Sequence, residues 1–589
     1  MASTTSATGI VTLDNFASRL PQWDPSLPSH LYALVDMGSN GIRFSISDLS
    51  PPRARLLKCL YHERAAVSLF DALNKSASSG PLTFPSDVIA QVSRTLARFR
   101  STANDYGVPY EHISVFATEA MRKAENAASM LDAILASSGL DVHVLAPEVE
   151  TLFGAMGARS QFTSVNGLFL DLGGGSVQMT YLDSSVNGHE LAAAQTGKSL
   201  PFGAARLTDV LENGNVEAQA TSASTLQEGM RDAFAKLQQQ FPSLRDAQNS
   251  PENTGIDIYL CGGGFRGYGS ILMHADPIQP YPIPTVGGYT VQGAFFNRTK
   301  DMRKINAEYE DKIFGMSKRR RRQFPAIVTV VEALVAAIPR IRTATFCSGG
   351  NREGALSMIL PKHMREEDPL PLLSQVIDNG EAGILRSVIH LVQSSLPSNF
   401  DISSIPTVFS LGLGTCFIGN MWARIGESND VNASLELNQA VTRDSSTPGL
   451  THLARAVLGL TQCYRWGANL SPADRVRFVN LQKLVGQSNP EANFWAEYIG
   501  TVASLLTIVY PAKPSASDSL RTSVKFRSTL KRGSKKEQVQ LDISLSPAIY
   551  ESLNVADLLA SHFKHVGKQR DVADKTKRKV EVVVHKLVY

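Results

Sequence analysis

The sequence predicts an α/β core, a mainly helical region behind it, and a small α+β module at the C-terminus. Three observations carry this reading. First, an apolar run opens into Asp-x-Gly and small polar residues and then resumes apolar alternation, once at Leu34–Phe44 and again at Leu168–Met179. Each copy reads as a strand, a tight turn and a second strand. Second, the cluster Gly262-Gly263-Gly264 follows the apolar Ile258–Cys261 and leads into a helical pattern from Phe265 to Met273. Third, helical spacing prevails from about Gly354 to Pro511, after which Gln538–Leu545 and Val580–Val588 alternate like strands.

Taken in order, residues 1–30 read as a loose lead-in. Residues 31–145 hold the first strand pair, a helix over Ser86–Tyr106 opened by a Pro-Ser-Asp cap, a buried strand Ile113–Ala117 and a helix over Met121–Leu135. Residues 146–353 form a second α/β unit with the second strand pair, a long helix over Ser222–Phe241 and the third glycine turn. Residues 354–510 are helical, with strong apolar faces at Leu453–Tyr464 and Trp495–Tyr510. Residues 511–589 follow the Pro511–Ser517 linker as a basic α+β module.

Composition bounds the function. The chain has 589 residues, 43% apolar and 19% charged, as expected of an ordinary globular protein of several domains. Its five cysteines (Cys59, Cys261, Cys347, Cys416, Cys463) form no C-x-x-C pair, so neither a zinc site nor a disulfide framework is indicated, and a reducing compartment fits. The N-terminus has no basic and apolar signal-peptide pattern, and its first arginine is Arg19. The longest apolar stretch, Ala326–Pro339, contains Glu332 and is too short to span a bilayer. A cytosolic protein with no membrane association is expected, with a nuclear location also open. From Pro511 onward there are sixteen Lys and Arg against eight Asp and Glu, whereas the whole chain is only +4. That asymmetry suggests an acidic partner. A solvated basic surface is the plainer reading, because no aromatic interleaving supports nucleic-acid binding.

The paired turns suit phosphate. Glycines let backbone N–H groups approach an anion, Ser39, Asn40 and Ser176 add donors, and Asp36 and Asp171 suit a divalent metal or its water. Either turn alone reads equally well as a plain hairpin. Neither the G-x-G-x-x-G opening a helix nor the Walker A Lys-Ser/Thr is present. Two Asp-x-Gly turns followed by a glycine-rich strand-to-helix turn are a more specific signal, and suggest two half-sites facing across a cleft.

Several segments together resemble the exopolyphosphatase/guanosine pentaphosphate phosphatase (Ppx/GppA) family, within the superfamily of actin, hexokinase and the heat-shock chaperone ATPases. They are Asp36-Met37-Gly38-Ser39-Asn40, Phe116–Arg122 with Asn126, Pro147–Glu150 before Met156-Gly157, Asp171–Ser176, Phe202–Leu207, Gly262–Gly264 and Ser348–Gly354. The resemblance implies two actin-like (ribonuclease H-like, ASKHA superfamily) domains over 31–145 and 146–353. It implies Glu150 as the catalytic base that activates water, and Asp36 and Asp171 as ligands of Mg²⁺ or its waters. A nucleotide or polyphosphate would lie on Gly38, Ser39, Asn40, Arg43, Gly173, Gly174, Gly175, Ser176, Gln178, Gly262, Gly263 and Gly264. Arg122 is a weaker candidate, either for phosphate or as an interdomain brace. The helical region and His562–Lys568 are similar to a fungal branch of the family that relays mitochondrial state to nuclear transcription.

The chain departs from the family pattern at Gln178, where Glu is usual, at Val149, where the usual paired Glu-Glu is Val149-Glu150, and at Gly41, where Ser or Thr is common. Gln orients a water but is no general base. These departures place a phosphate-chain or nucleotide-binding signalling sensor with regulatory protein partners first. An active exopolyphosphatase or nucleotide phosphohydrolase is the alternative. A homodimer is left open, and nucleic acid is only weakly supported. The Lys318–Arg322 run reads as a solvated helix start before it reads as a polyanion contact, and His363, His390 and His452 read as ordinary helix residues.

Overall fold

The computed structural model describes residues 9–75, 81–249, 255–374, 379–398, 405–444, 446–515, 520, 522–533, 536–552, 555–568 and 577–588. Residues 1–8 of the expected lead-in and the end of the Pro511–Ser517 linker lie outside them. The chain divides into two compact units. One comprises Met1–Ala275, Thr285–Glu367 and Ser445–Pro448, and the other Asp276–Pro284, Asp368–Asp444 and Gly449–Tyr589.

The first unit contains two sheets on one plan. Strands β1 (Leu31–Gly38), β2 (Gly41–Asp48), β3 (Lys58–Ala65), β4 (Ile113–Ala117) and β5 (Val142–Val144) are ordered β3-β2-β1-β4-β5, with an antiparallel meander on one side and parallel strands on the other. Strands β6 (Asn166–Leu172), β7 (Val177–Asp183), β8 (Lys198–Leu200), β9 (Ile256–Cys261), β10 (Thr290–Gln292) and β11 (Ile341–Phe346) are ordered β10-β11-β9-β6-β7-β8. Read from β8 to β11, this repeats the meander-then-parallel arrangement, with β10 added antiparallel at the edge. Equivalent turns therefore connect β1 to β2 and β6 to β7. Asp36 lies opposite Arg43, and Asp171 lies opposite Gln178.

The helices Ser86–Asp105 and Ala127–Ser138 bury Val92, Leu96, Phe99, Met130 and Ile134 in one core with Val35 and Phe44 of the first sheet. The helix expected over Met121–Leu135 is two pieces, Glu119–Lys123 and Ala127–Ser138. Asn126 interrupts it: its side-chain amide accepts from the Phe84 N–H at 2.8 Å and donates to the Phe84 carbonyl at 2.9 Å, an alternative to continuing the helical ladder. Residues 9–30 are not loose. Val11 pairs beside Leu145 through two 2.8 Å backbone bonds, and Trp23 Nε1 donates to the Leu49 carbonyl at 2.9 Å. Buried Val11 and Leu20 supply the apolar anchor.

The helices Pro147–Arg159 and Asn351–Ile359 cross at backbone contact. A Cβ on Gly157 would overlap the Gly350 carbonyl, one on Gly349 the Gly157 carbonyl, and one on Gly354 the Phe153 carbonyl. These glycines are required by proximity.

The second unit is helical with a three-stranded sheet. Helices His452–Arg465 and Ala492–Val509 are almost wholly buried. Strands β12 (Val524–Arg532), β13 (Lys536–Leu545) and β14 (Lys577–Lys586) are ordered β12-β13-β14, antiparallel then parallel. β12 was not anticipated, although Val524, Phe526 and Leu530 alternate with Lys525, Arg527, Thr529 and Lys531 in the two-residue period of a half-buried strand. Trp495, Tyr498, Leu541, Leu559 and Phe563 belong to one core, so the helices and the C-terminal sheet share a single apolar interior.

Gly354→Ala is expected to lower the unfolding midpoint of the first unit in urea by an amount equivalent to about 1–3 kcal/mol, the usual range for overpacking. Gly107→Ala meets nothing within 4 Å but sits at φ +75°, so it serves as a control for backbone strain without overlap.

Candidate functional site

The β1–β2 and β6–β7 turns, the glycine-rich start of the helix Gly262–His274, and the N-terminal ends of Pro147–Arg159, Lys318–Ala337 and Asn351–Ile359 enclose a cleft of about 400 Å³. Apart from the weaker candidate Arg122, every residue expected to bind or act lines it: Asp36, Gly38, Ser39, Asn40, Arg43, Glu150, Asp171, Gly173, Gly174, Gly175, Ser176, Gln178, Gly262, Gly263 and Gly264. Arg122 does not line it. Its guanidinium donates to the Leu145 carbonyl at 2.5 Å and to Glu150 Oε2 at 3.0 Å, so it holds Glu150 and contacts no ligand space.

The turns pack directly on each other. A Cβ on Gly174 would meet the Asn40 side chain at 2.6 Å, and one on Gly175 would overlap the Glu119 carboxylate. The carbonyls of Gly173, Gly174 and Gly175 accept from the backbone N–H groups of Ala204, Ala205 and Gly203 at 2.9–3.0 Å. The Gly173 N–H closes the turn on the Ser176 carbonyl at 3.0 Å, and with the glycine carbonyls engaged the N–H groups of Gly174, Gly175 and Ser176 suit an anion. Gly262 adopts φ +86°, a conformation that favours glycine, and a side chain there would strike the Asp171 carboxylate and the Leu172 carbonyl.

Buried carboxylates meet several guanidiniums here. Asp36 and Asp171 are raised above the usual carboxylate range first by burial, while Arg43 opposes the shift in both. Glu150 is pushed up to about 7, again mainly by burial, with Arg122 opposing and the charges of Asp36 and Asp171 adding to it. Arg43, Arg64, Arg266, Arg319, Arg320 and Arg352 all line the same cleft. Burial lowers Arg320 to about 10, assisted by repulsion from Arg266, Arg43 and Arg64. Arg64, Arg266, Arg319, Arg320 and Arg352 were missed as site residues. They come from separate segments, and only the fold assembles them.

The Lys318–Arg322 run is a helix start solvated at its ends, Lys318 and Arg322, while Arg319 and Arg320 line the cleft. Ser317 caps the helix by accepting from the Arg320 N–H, and the following arginines radiate in different directions as the helix turns. Arg319 reaches Asn40 Oδ1 at 2.7 Å, Ser68 Oγ at 3.0 Å and Asp71 Oδ2 at 3.2 Å, joining the two halves at the first turn. Arg320 donates to the Gly315 carbonyl at 2.7 Å, Arg321 to the Asn306 carbonyl at 2.8 Å, and Arg322 to Glu212 Oε1 at 2.8 Å.

Polar atoms left without protein partners gather around this cleft. Asp36 Oδ1, Asn351 Oδ1 and Arg352 Nη1 are buried and make no hydrogen bond. A Cβ on Gly154 would lie 3.5 Å from Asn351 Oδ1, 3.6 Å from Asp171 Oδ2 and 3.9 Å from Gln178 Oε1, so these three oxygens converge on one helical face. Such atoms fit a hydrated divalent cation held by one or two carboxylates together with phosphate oxygens. Among the described residues, the three-residue group close enough to share one ion is elsewhere, at His189, Glu190 and Glu366, where Arg365 already donates to Glu190 at 3.0 Å.

A duplicated α/β core carrying paired Asp-x-Gly turns across a charged cleft defines a protein of the actin-like class. The chain belongs to the Ppx/GppA phosphatase family, which residues 49–363 match. Residues 368–588 match the RTG2 C-terminal domain. The chain is 32% identical over 496 residues to retrograde regulation protein 2 of Saccharomyces cerevisiae, an alignment that covers 82% of this chain and 81% of that protein. Among solved structures, it resembles the Aquifex aeolicus Ppx/GppA enzyme at 19% identity and TM-score 0.43, covering 56% of this chain and 99% of that one. It also resembles an exopolyphosphatase from Cytophaga hutchinsonii at 20% identity and TM-score 0.41, covering 56% and 97%.

The raised Glu150 carboxyl has a defined pH consequence. Between its unfolded value near 4.5 and about 7, the folded state binds the extra proton, so this group's contribution falls as pH rises through that window. Glu150→Gln is expected to flatten the decline in thermal stability between pH 5 and 8 by on the order of 2–3 kcal/mol. Parallel midpoint curves of wild type and variant test this, since the difference cancels Glu436 and Glu497, whose carboxyls burial also raises to about 7.

Proposed function

We propose that this protein is a signalling sensor whose cleft binds a phosphate-chain ligand, a nucleotide or polyphosphate, together with Mg²⁺. The ligand-bound state would be passed to regulatory protein partners in the cytosol and would relay mitochondrial state to nuclear transcription. The observation that carries this reading is the set of arginines lining the cleft beside the paired turns. A single phosphate does not balance so many guanidiniums in one cleft, whereas a chain of phosphates presents charge and acceptors to several at once. Asp36 and Asp171 would hold the cation or its waters. That cation would supply charge neutralisation of the chain. The kinship with retrograde regulation protein 2 supports the signalling role.

Gln178 supports binding ahead of turnover. It stands opposite Asp171 as a neutral amide, able to orient a water and unable to take its proton. One observation favours the alternative of an active exopolyphosphatase or nucleotide phosphohydrolase: the Glu150 carboxyl at about 7 suits a general base near neutral pH.

Phosphate release from polyphosphate, ATP and guanosine pentaphosphate by wild type and Glu150→Ala separates the two. The expected result is no release above background by either protein. Alongside it, Mg²⁺ with tripolyphosphate at about 100 times Kd is expected to stabilise the wild type by about 2.7 kcal/mol, a gain that Asp171→Ala and EDTA abolish. Robust release lost in Glu150→Ala would establish hydrolysis instead.

A further inference from the structure

The C-terminal sheet has one covered and one open face. Val524, Phe526, Leu530, Val539, Leu541 and Ile543 are buried on the covered side, and the alternate residues of all three strands point away from it. Strand pairing fixes the neighbours on the open side. Lys536 lies directly opposite Lys577, and Lys531, Gln538 and Lys579 form the next row. Farther along, Gln540 is opposite Glu581, and Asp542 is opposite Arg527 on one side and Val583 on the other. The face is thus two-toned, with four lysines at one end and carboxylates beyond them.

Those lysines are not accounted for by folding. Like charges directly opposite each other on adjacent strands destabilise a sheet. Lysine on an edge strand discourages unwanted pairing, but Lys536 sits on the central strand. The acid beside it, Glu537, points to the other face, where Arg578 takes it at 2.8 Å and Arg532 at 3.6 Å. Among the described residues, none of Lys531, Lys536, Lys577 and Lys579 has an ion-pair partner.

We propose that this lysine end is a docking surface for an acidic segment of a partner protein. The patch is about 10 Å across the strands and about 7 Å along them, a footprint suited to a few clustered carboxylates. A nucleic acid fits less well. Among the described residues the open face carries no Phe, Tyr or Trp for base stacking, and its imidazole, His585, rests on Asp542 at 3.3 Å; Glu581 and Asp542 would repel a uniformly anionic backbone.

The test uses the full chain and fluorescence anisotropy with a labelled octaglutamate peptide and a labelled oligouridylate at low salt. The peptide is expected to bind, and the double variant Lys536→Gln/Lys577→Gln to weaken it by about tenfold. Lys525→Gln, at the far end of the same face, should leave binding unchanged. The thermal midpoint of the double variant should equal or exceed that of the wild type, because a repulsion is removed. Undiminished peptide binding in the double variant, no binding by wild type, or a lowered midpoint would each overturn the proposal. Tighter, lysine-dependent binding of oligouridylate would overturn it in favour of a nucleic-acid surface.

Discussion

The cleft depends on one steric constraint, the crossing of the helices Pro147–Arg159 and Asn351–Ile359 without side chains between them. Gly157 touches Gly349 and Gly350, and Gly354 touches Phe153, so the two backbones approach as closely as main chain allows. Each helix begins at the cleft. One delivers Glu150 and the other Asn351, Arg352 and Glu353. Separating the axes by a methyl group would displace both sets at once. The crossing therefore sets the width at which the two duplicated turns face each other, and Asn40 lies against Gly174 only because that width is held.

Charge is the second constraint, and it works against the free protein. Burial raises Asp36, Asp171 and Glu150 and lowers Arg266 and Arg320, so both signs are held in environments that disfavour them. Neighbours offset part of this. Arg43 faces Asp36 across the strand pair, Arg122 holds Glu150, and Arg319 rests on Asn40 and Asp71. A polyanion with a cation completes the pairing, because the cation answers the carboxylates and the phosphates answer the guanidiniums. On the proposed reading, ligand affinity would come largely from relieving an unfavourable arrangement, which would couple occupancy to closure of the two halves.

The paired turns were legible in the sequence because each is local: a strand, two or four turn residues and a return strand leave a contiguous pattern. All fifteen residues expected at the site line one cleft, and the third glycine turn was correctly read as opening a helix. The arginines were not legible as a set. Arg64 is recognisable only through its register opposite Arg43, and Arg319 only through the direction in which Ser317 starts its helix. The anchored lead-in and the strand Val524–Arg532 escaped for another reason. Apolar residues follow no sustained period in the lead-in and alternate with basic ones in the strand, so in both they acquire meaning only when a partner surface is known. The broken helix at Asn126 rests on a bond to Phe84, forty-two residues away.

The duplication also bears on what the cleft does with its ligand. Asp36 and Asp171 occupy equivalent places, and so do the residues opposite them, Arg43 and Gln178. In the first half that position holds a cation, and in the second a neutral amide. A glutamate at Gln178 would add a further carboxylate to a buried group of three and drive their proton affinities higher still. The neutral amide avoids that repulsion, so the surrounding guanidiniums act on the ligand with less internal competition. On the proposed reading, such a change would strengthen binding of the ground state as much as of any transition state, and uniform binding of this kind raises affinity without raising turnover. On the proposed reading, a site shaped in that direction would hold its ligand longer, giving a partner protein a ligand-dependent closed state to read.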